Sequence, residues 1–374
     1  MNVQKTAIVY DWLINVGGGE KTLSAIYEEF PAPIYTLFHR SAHFKGTPLE
    51  GADVHTSFLQ KCPFSASIYR YLLAFYPLAI EQFDLSGYDV ILSTSHAVAK
   101  SVLTHPHQLH LCYCFTPMRY AWDLTHQYLE PLGKLQRMIA RPTLHYLRNW
   151  DAATAGRVDH FASISHYIAK RIKKVYGRES TVIYPPVDVE EIALGTQKED
   201  FYLVVSRMVP YKNIDLIVKA FSFLPEKRLV VIGDGPERSK IVAAAGKNVE
   251  ILGHLPDATV RDYMKRAKGF IFAAEEDFGI VVVEAQAAGT PVIALRRGGA
   301  VETVVQGQSG AFFEEPTIPS LIQAVESFER MEFDPHLVRA NAMRFNKHRF
   351  QEEYRAFVQQ KVEEFYEDHH SCRR

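Results

Sequence analysis

Two glutamates frame a glycine-containing turn in the segment EEDFGIVVVEAQAAGTPVIA, in the second half of the chain. Glu276 follows the strand-like run GFIFAA, and Glu284 lies eight positions later, where a helix is predicted to have begun. Between them, Phe278, Gly279 and Ile280 form a turn whose backbone amides point outward at a helix N-terminus, which attracts anions. Carboxylates on either side can accept hydrogen bonds from several hydroxyls. The segment therefore predicts a site that recognises a sugar and a ribose.

Two cations, Arg207 and Lys212, stand five positions apart in SRMVPYKNIDLIVKAF. Arg207 follows an apolar strand-like run, and Lys212 is predicted to open the next helix. Arginine can bind a diphosphate through two parallel hydrogen bonds, and lysine adds a point charge. A solvated surface pair is the alternative interpretation. Beside the two glutamates, however, the cations favour a diphosphate site.

A cluster of three glycines, Gly17, Gly18 and Gly19, precedes Glu20 near the start of the chain. Glycines let the backbone approach a ligand closely and adopt conformations that other residues avoid. An ordinary turn is the alternative. The cluster is not a P-loop, because Glu20 stands where that motif requires glycine, and the absence of G-x-G-x-x-G argues against a dinucleotide-binding dehydrogenase.

Apolar runs alternate with amphipathic helices through both halves of the chain. In the first half they occupy residues 6–10, 90–92, 110–114 and 161–164, and in the second they read FYLVVS, RLVVIG, VEILG, GFIFAA and PVIAL. Such alternation predicts an α/β protein in which parallel sheets carry helices on both faces. We expect two doubly wound domains, residues 1–185 and 186–349, joined at Pro185-Pro186. A helix over about 350–374 is expected to pack back on the first domain.

Composition indicates a soluble globular protein, and the overall net charge of −1 says little. We expect no nucleic-acid partner. The four cysteines show no zinc-type or redox spacing, and no apolar run is long enough to span a bilayer, which favours a cytoplasmic location. Residues 1–185 carry a balance of +4 and the rest −5. Aromatic residues 64–83 and the basic residues Lys134, Arg137, Arg141 and Arg148 suit peripheral contact with the inner face of a membrane. Burial of Tyr69, Leu72, Leu73 and Tyr76 in the core is the alternative.

The ordered set of motifs resembles the retaining glycosyltransferases of family four, which share the GT-B fold: two Rossmann-like domains facing each other across a cleft. The motifs span nearly the whole chain and read GGGE, VIYPPVD, SRMVPYK, GDGPE, GHLPD and EEDFGIVVVEAQAAGTPV. The segment CYCFTPMRYAWD is similar to that of mannosyltransferases in O-antigen or exopolysaccharide assembly. The resemblance implies an acceptor-side first domain and a donor-binding second domain.

The resemblance also implies a role for each matching residue. Glu276 grips the donor sugar, Glu284 the ribose, and Arg207 and Lys212 the diphosphate; Arg207, Lys212 and Glu276 are the residues expected to be catalytic. Gly18 and Gly19 approach the phosphates, and the loop around His254 and Leu255 flanks the base. Phe278, Gly279 and Ile280 complete the donor site.

The reaction implied is transfer of a sugar, mannose from GDP-mannose, onto a glycan or lipid-linked glycan with retention of anomeric configuration. A UDP-sugar is the alternative donor. The chain has no Asp-x-Asp, so we expect no metal site and no cofactor, and fixed cations must stabilise the leaving group. No carboxylate of the motifs is an evident nucleophile, which favours front-face attack.

One position departs from the family, because Phe115 occupies the place where it usually has a histidine, two residues before Pro117. Three interpretations stay open: an altered donor or acceptor, a substitute such as His96, or reduced activity. The departure also keeps open a non-catalytic role as a nucleotide-sugar-binding subunit of a glycan-assembly complex.

Overall fold

The structure is a computed structural model that describes residues 4–64, 68–130 and 132–371. Its contacts divide the chain into two compact units. Unit 1 comprises the chain up to Pro186 and again from Phe350 onward, and unit 2 is Val187–Arg349. Residues 65–67, within the aromatic stretch, and 372–374, at the end of the expected C-terminal helix, lie outside the described residues.

Unit 1 contains a sheet of seven parallel strands. They are β1 Thr6–Tyr10, β2 Ile34–Thr36, β3 Val54–Thr56, β4 Val90–Ser95, β5 Leu109–Cys114, β6 His160–Ser163 and β7 Ser180–Val182. Their spatial order is β3-β2-β1-β4-β5-β6-β7. Every residue of β4 and β5 is buried, as expected of parallel strands covered on both faces. The strands missed by the sequence prediction, β2, β3 and β7, have only three residues each.

Unit 2 contains a second parallel sheet, of six strands. They are β8 Glu199–Val205, β9 Arg228–Ile232, β10 Val249–Gly253, β11 Ala267–Phe272, β12 Val292–Leu295 and β13 Gly310–Phe313. Their spatial order is β10-β9-β8-β11-β12-β13. The five apolar runs of the second half form β8 to β12, so the prediction of parallel α/β sheets is confirmed in both units.

Helices cover both sheets and bury the apolar faces that the sequence periodicity predicts. Leu23 and Ile26 of the first helix are fully buried in unit 1, and Ile217 and Phe221 are fully buried in unit 2. The helices are α1 Gly18–Glu29, α2 Tyr76–Glu81, α3 Thr125–Leu129, α4 Lys134–Thr154, α5 His166–Tyr176, α6 Ile214–Ser222, α7 Arg238–Ala244, α8 Asp257–Arg266, α9 Ile280–Ala287, α10 Ala300–Thr303, α11 Ile318–Phe328, α12 Pro335–Met343 and α13 Lys347–Ser371.

Both sheets reverse their winding once. In unit 1 the chain moves outward from β1 to β3 and then returns to place β4 on the other side of β1; in unit 2 the same reversal separates β8 from β11. At such a switch point the loops that leave neighbouring strands diverge to opposite faces, which opens a crevice at the carboxyl ends of the strands. Each unit therefore has one place where the fold favours ligand binding.

Candidate active site

The switch point of unit 2 brings together two of the segments singled out in the sequence. Leu203 of β8 pairs with Phe270 of β11, so these parallel strands end at the same edge of the sheet. Arg207 stands two residues after β8, and Glu276 stands four residues after β11. The sheet topology, rather than closeness in sequence, makes these loops neighbours.

Lys212 reaches this edge through a turn that Asn213 stabilises. Pro210–Lys212 forms a single 3₁₀ turn, and Asn213 then takes the left-handed conformation, with φ +53° and ψ +34°, before α6 begins at Ile214. The Asn213 Nδ2 donates a hydrogen bond of 2.9 Å to the carbonyl of Ala273, directly after β11. Asparagine tolerates this conformation better than most residues do. Lys212 thus precedes the helix that it was predicted to open.

Lys212 and Glu276 form an ion pair through Nζ and Oε1, with side chains only 15% and 16% exposed. The ammonium also lies 5.4 Å from the ring centroid of Tyr211. Because the pair is largely shielded from water, its attraction is stronger than that of a surface pair. Two of the three residues predicted to be catalytic are therefore in direct contact.

A pair of glycines after β12 supports the backbone of Glu276. The Gly299 amide donates to the Glu276 carbonyl at 2.7 Å. Gly298 has φ +61°, and a Cβ at this position would lie 2.3 Å from the same carbonyl oxygen. Only glycine fits there without displacing the loop. The sequence analysis missed Gly298, Gly299 and Asn213, although adjacent glycines after an apolar run are a recognisable signal of close approach.

The loop that carries Arg207 packs against the GDG turn after β9. The Met208 amide donates to the Asp234 carbonyl at 2.9 Å, and a Cβ on Gly235 would lie 2.4 Å from the Met208 carbonyl oxygen. The Arg207 side chain is exposed, and among the described residues its guanidinium has no hydrogen-bond or ion-pair partner. The backbone is thus held while the side chain projects into solvent.

The N-terminus of α9 follows Glu276 after a sharp turn. Gly279 caps the helix with φ +87°, and Ile280 is its first residue. Phe278 is buried and packs edge-on against Phe345, with ring centroids 5.3 Å apart. Glu284 lies one turn into α9 and is half-buried. Its convergence with Lys212 and Glu276 stays a prediction.

Two further predicted groups lie away from this switch point. His254 is exposed and Leu255 half-buried, in the loop after β10, which β9 separates from β8. Gly18 and Gly19 open α1 in unit 1, where a Cβ at Gly19 would lie 2.7 Å from the Tyr10 hydroxyl. The roles of these four residues in donor binding stay predictions.

Within residues 4–64, 68–130 and 132–371, no three or more His, Cys, Asp and Glu side chains are grouped so that they could hold a metal ion. In the same ranges, no helix combines the length and the apolar character needed to cross a membrane.

Residues 189–345 match the family model described as "Glycosyl transferases group 1". The GDP-mannose-dependent monoacylated alpha-(1-6)-phosphatidylinositol monomannoside mannosyltransferase of Corynebacterium glutamicum is 32% identical over 178 residues, which cover 39% of this chain and 47% of that protein. An uncharacterised glycosyltransferase of Methanocaldococcus jannaschii is 31% identical over 162 residues, or 42% of this chain and 46% of the relative. The matches thus span less than half of either relative.

The lipopolysaccharide outer core galactosyltransferase WaaB, in its apo form, matches across 96% of this chain and 99% of its own, with a TM-score of 0.68 and 15% identity. At that identity the similarity concerns the fold. The protein therefore has the two-domain GT-B fold, resembles mannosyltransferases in sequence, and matches the group 1 glycosyl transferase model over residues 189–345.

Proposed function

We propose that the protein is a glycosyltransferase that moves a sugar from a nucleoside diphosphate onto a glycan or lipid-linked glycan. The observation that carries this proposal is the Lys212–Glu276 pair at the switch point of unit 2, inside the residues that match the family model. A diphosphate next to a sugar requires a cation beside a hydroxyl-binding carboxylate. Lys212 binds the diphosphate, and Glu276 accepts hydrogen bonds from the sugar hydroxyls.

The catalytic contribution of these residues is electrostatic. Breaking the bond between the anomeric carbon and the diphosphate leaves negative charge on the phosphate oxygens. Arg207, Lys212 and the amides at the start of α9 stabilise that charge. The other donor contacts are the ribose at Glu284, the base at His254 and Leu255, and the phosphates at Gly18 and Gly19.

Retention of configuration follows from attack on the face that the leaving group vacates. The acceptor oxygen forms a bond to the anomeric carbon, the carbon–oxygen bond to the diphosphate breaks, and a phosphate oxygen takes the acceptor's proton. Proton NMR of the first-formed product tests this step. An inverted anomeric signal would contradict it.

GDP-mannose is the proposed donor, because the Corynebacterium relative is named as GDP-mannose-dependent. A UDP-sugar is the alternative donor. A thermal-shift panel of GDP-mannose, UDP-glucose and UDP-galactose separates them, because a ligand at 100 times its Kd stabilises the folded protein by about 2.7 kcal/mol. A shift with UDP-sugars alone would overturn the GDP assignment.

Arg207 tests whether the site holds a diphosphate. Arg207→Ala is expected to weaken GDP and GDP-mannose by about the same factor, roughly tenfold, because the partner lost is phosphate in both. Arg228→Ala removes an exposed arginine of the same unit that pairs with Glu250, and serves as the matched control. A loss confined to GDP-mannose would assign Arg207 to the sugar instead.

Metal independence is tested with a chelator. Turnover is expected to survive excess EDTA, because fixed cations and helix amides replace the usual divalent ion. Loss of turnover that added Mn²⁺ restores would contradict this mechanism.

The second candidate is a non-catalytic nucleotide-sugar-binding subunit, which Phe115 favours because it replaces the family's usual histidine. Phe115 follows β5 directly and lies beside Gly19, where a Cβ would be 3.6 Å from its ring. A radiolabelled donor separates the two functions. Hydrolysis or transfer supports the enzyme, whereas binding without either supports the subunit.

An exposed face of α4 supports the proposed contact of a cytoplasmic protein with the inner face of a membrane. Leu135, Met138 and Ile139 follow helical spacing and are all more than 60% exposed. Of the four basic residues, Lys134 and Arg141 are exposed. Arg137 and Arg148 instead donate to the carbonyls of Leu129, Glu130 and Ala121, so only half of the predicted basic patch is available.

The aromatic stretch within residues 64–83 likewise contains both buried and exposed side chains. Tyr76 is buried, and Tyr69, Leu72 and Leu73 pack against the core, whereas Tyr71 and Phe75 are exposed. Liposome co-sedimentation with and without phosphatidylglycerol tests the contact. The triple substitution Leu135→Ser, Met138→Ser and Ile139→Ser is expected to abolish binding, and unchanged binding would assign the membrane contact elsewhere.

A further inference from the structure

The switch point of unit 1 carries polar residues that the proposed donor site does not use. Tyr10 of β1 pairs with Thr94 of β4 in parallel register, so Asp11 and His96 leave the sheet side by side. Phe115 follows the next strand, β5. These residues therefore lie at the carboxyl ends of three adjacent strands, where the fold favours ligand binding.

Asp11 is fully buried and acts only as a hydrogen-bond acceptor. Its Oδ2 accepts from the His96 and Ala97 amides at 2.6 and 3.0 Å, and its Oδ1 accepts from the Val98 and Ala99 amides at 2.5 and 2.7 Å. Four backbone donors hold both oxygens of the side chain in place. The carboxylate is thus fixed relative to the loop after β4.

The imidazole of His96 takes its orientation from that carboxylate. Its Nδ1 lies 3.0 Å from Asp11 Oδ2, which can only accept, so Nδ1 must carry the hydrogen. The neutral ring then has a bare Nε2, an acceptor. Trp12 packs edge-on against the imidazole, with ring centroids 4.5 Å apart, and restricts its rotation.

The second ring nitrogen of His96, Nε2, belongs to a side chain that keeps some contact with solvent. The side chain is 28% exposed, and no residue in the described ranges supplies a hydrogen-bond partner to Nε2. Aromatic rings of Tyr10 and Phe115 lie nearby, with centroids 6.1 and 6.3 Å from the imidazole. The backbone at Gly19 comes so close to the Tyr10 hydroxyl that a Cβ there would lie 2.7 Å from it.

A half-buried carboxylate completes this cluster. Glu20 Oε1 accepts from the Tyr10 hydroxyl at 3.1 Å, and Oε2 accepts from the Gly17 amide at 2.9 Å. Burial raises the pKa of Glu20, although the hydrogen bonds from Tyr10 and Gly17 oppose the rise. These bonds hold the glycine turn beside the imidazole. An acceptor with aromatic walls and close backbone is the arrangement that a sugar hydroxyl and its apolar ring face require.

We propose that His96, oriented by Asp11, binds a sugar hydroxyl through Nε2, and that Asp11 is its positioning residue. This inference rests on the proposed function for its reaction, but the site itself is complete within unit 1. Two ligands could supply this hydroxyl: the sugar of the nucleotide donor and the sugar of the acceptor.

The test uses the full-length protein and two variants of His96. His96→Asn keeps an amide hydrogen for Asp11 but has no atom at Nε2, so it is expected to fold normally. His96→Ala removes both contacts. The matched control is His55→Ala, because His55 pairs with Asp53 at 3.2 Å on the surface of the same unit.

Isothermal titration with GDP and GDP-mannose identifies the source. If the donor sugar binds, His96→Asn and His96→Ala weaken GDP-mannose roughly three- to tenfold and leave GDP unchanged. If the acceptor sugar binds, both nucleotides keep their affinity while KM for the acceptor rises by that factor. Equal behaviour of the His96 and His55 variants in both assays would overturn the proposal.

A second readout does not depend on turnover. With ¹⁵N-labelled histidine, the His96 Nε2 signal is expected to be that of a bare nitrogen and to shift when methyl α-mannoside is added. A protonated Nε2, or no shift up to saturating glycoside, would contradict the inference. A shift with glycoside in a protein that binds no nucleotide sugar would instead overturn the proposed function and leave the His96 site standing.

Discussion

Each switch point contains a carboxylate, but the two carboxylates differ in their partners and in their exposure to solvent. In unit 2 a cation, Lys212, contacts the carboxylate of Glu276, and both side chains are partly exposed. In unit 1 the carboxylate of Asp11 is fully buried and held by four backbone amides. The first pair can exchange its partner for a ligand, whereas the second is locked into the fold. With the roles proposed above, the same strand topology would support a binding pair in one unit and a positioning carboxylate in the other.

Asp11→Ala is expected to have the largest effect, on stability. It leaves three buried amides and one half-buried amide without their acceptor, and each unsatisfied buried group costs about 1–3 kcal/mol, so a loss of at least about 3 kcal/mol is expected. All three tryptophans, Trp12, Trp122 and Trp150, belong to unit 1, so their fluorescence during urea unfolding reports this unit alone. Asp53→Ala removes an exposed aspartate as the control. Equal midpoints for the two variants would show that Asp11 is not locked into the fold.

Lys212→Met is expected to act on turnover instead. Loss of a cation that stabilises the leaving group lowers kcat by about 100- to 1,000-fold. The free energy of unfolding is expected to fall less than in Asp11→Ala, because the variant leaves one carboxylate, 16% exposed, without its partner. Lys219→Met, which removes the exposed partner of Asp215, is the control. A Lys212 variant that unfolds readily but retains turnover would reverse the contrast between the units.

Gly298→Ala is expected to displace the backbone of Glu276 while leaving the Glu276 side chain chemically unchanged. The new Cβ would meet the Glu276 carbonyl at 2.3 Å, so the loop must shift. We expect a loss of about 2 kcal/mol in stability and a roughly tenfold weaker donor affinity. Gly307→Ala is the matched control, because Gly307 also has positive φ, +78°, but no atom within 4 Å of its Cβ. Equal donor affinities in the two variants would contradict the proposed role of Glu276 in donor binding.

Acid is expected to affect Glu329 of unit 2 and Glu20 of unit 1 with opposite sign. Burial would raise the pKa of Glu329 in unit 2, but hydrogen bonds from Lys268, Tyr202 and Lys227 lower it to about 2. Its stabilisation is present above the unfolded value of about 4.5 and is lost as pH falls through 2, by on the order of 1–2 kcal/mol. The raised pKa of Glu20 acts the other way, because the folded unit 1 gains stability as that carboxyl is protonated.

Circular dichroism follows both units, and tryptophan fluorescence follows unit 1, in unfolding titrations at pH 5 and pH 2.5. Glu329→Gln is expected to remove part of the acid sensitivity seen by circular dichroism and none of that seen by fluorescence. Glu326→Gln, which changes an exposed glutamate on the helix that ends just before Glu329, is the control. Identical pH dependence of Glu329→Gln and the wild type would exclude Glu329 as its source.

The sequence predicted the sheets well because most of their strands are continuous apolar runs. It missed Ile34–Thr36, Val54–Thr56, Ser180–Val182 and Gly310–Phe313, since runs of three or four residues show little pattern. The sequence predicted that Lys212 and Glu276 belong to one site, but not that they form an ion pair with each other, because a pattern of residues does not specify side-chain contacts. Asp11 went unnoticed for a related reason: a single aspartate after a strand has no recognisable spacing.

The exposed side chain of Arg207 has a consequence for how fast a nucleotide arrives. Lys212 and Glu276 neutralise each other in the unliganded protein, so at this end of β8 and β11 Arg207 presents the positive charge that an approaching diphosphate meets first. Attraction between separated charges raises association rates and weakens as salt screens it. Stopped-flow association of GDP is therefore expected to slow with ionic strength, and in Arg207→Ala the rate becomes less sensitive to salt. Arg207 would then govern encounter, and Lys212 the chemistry that follows.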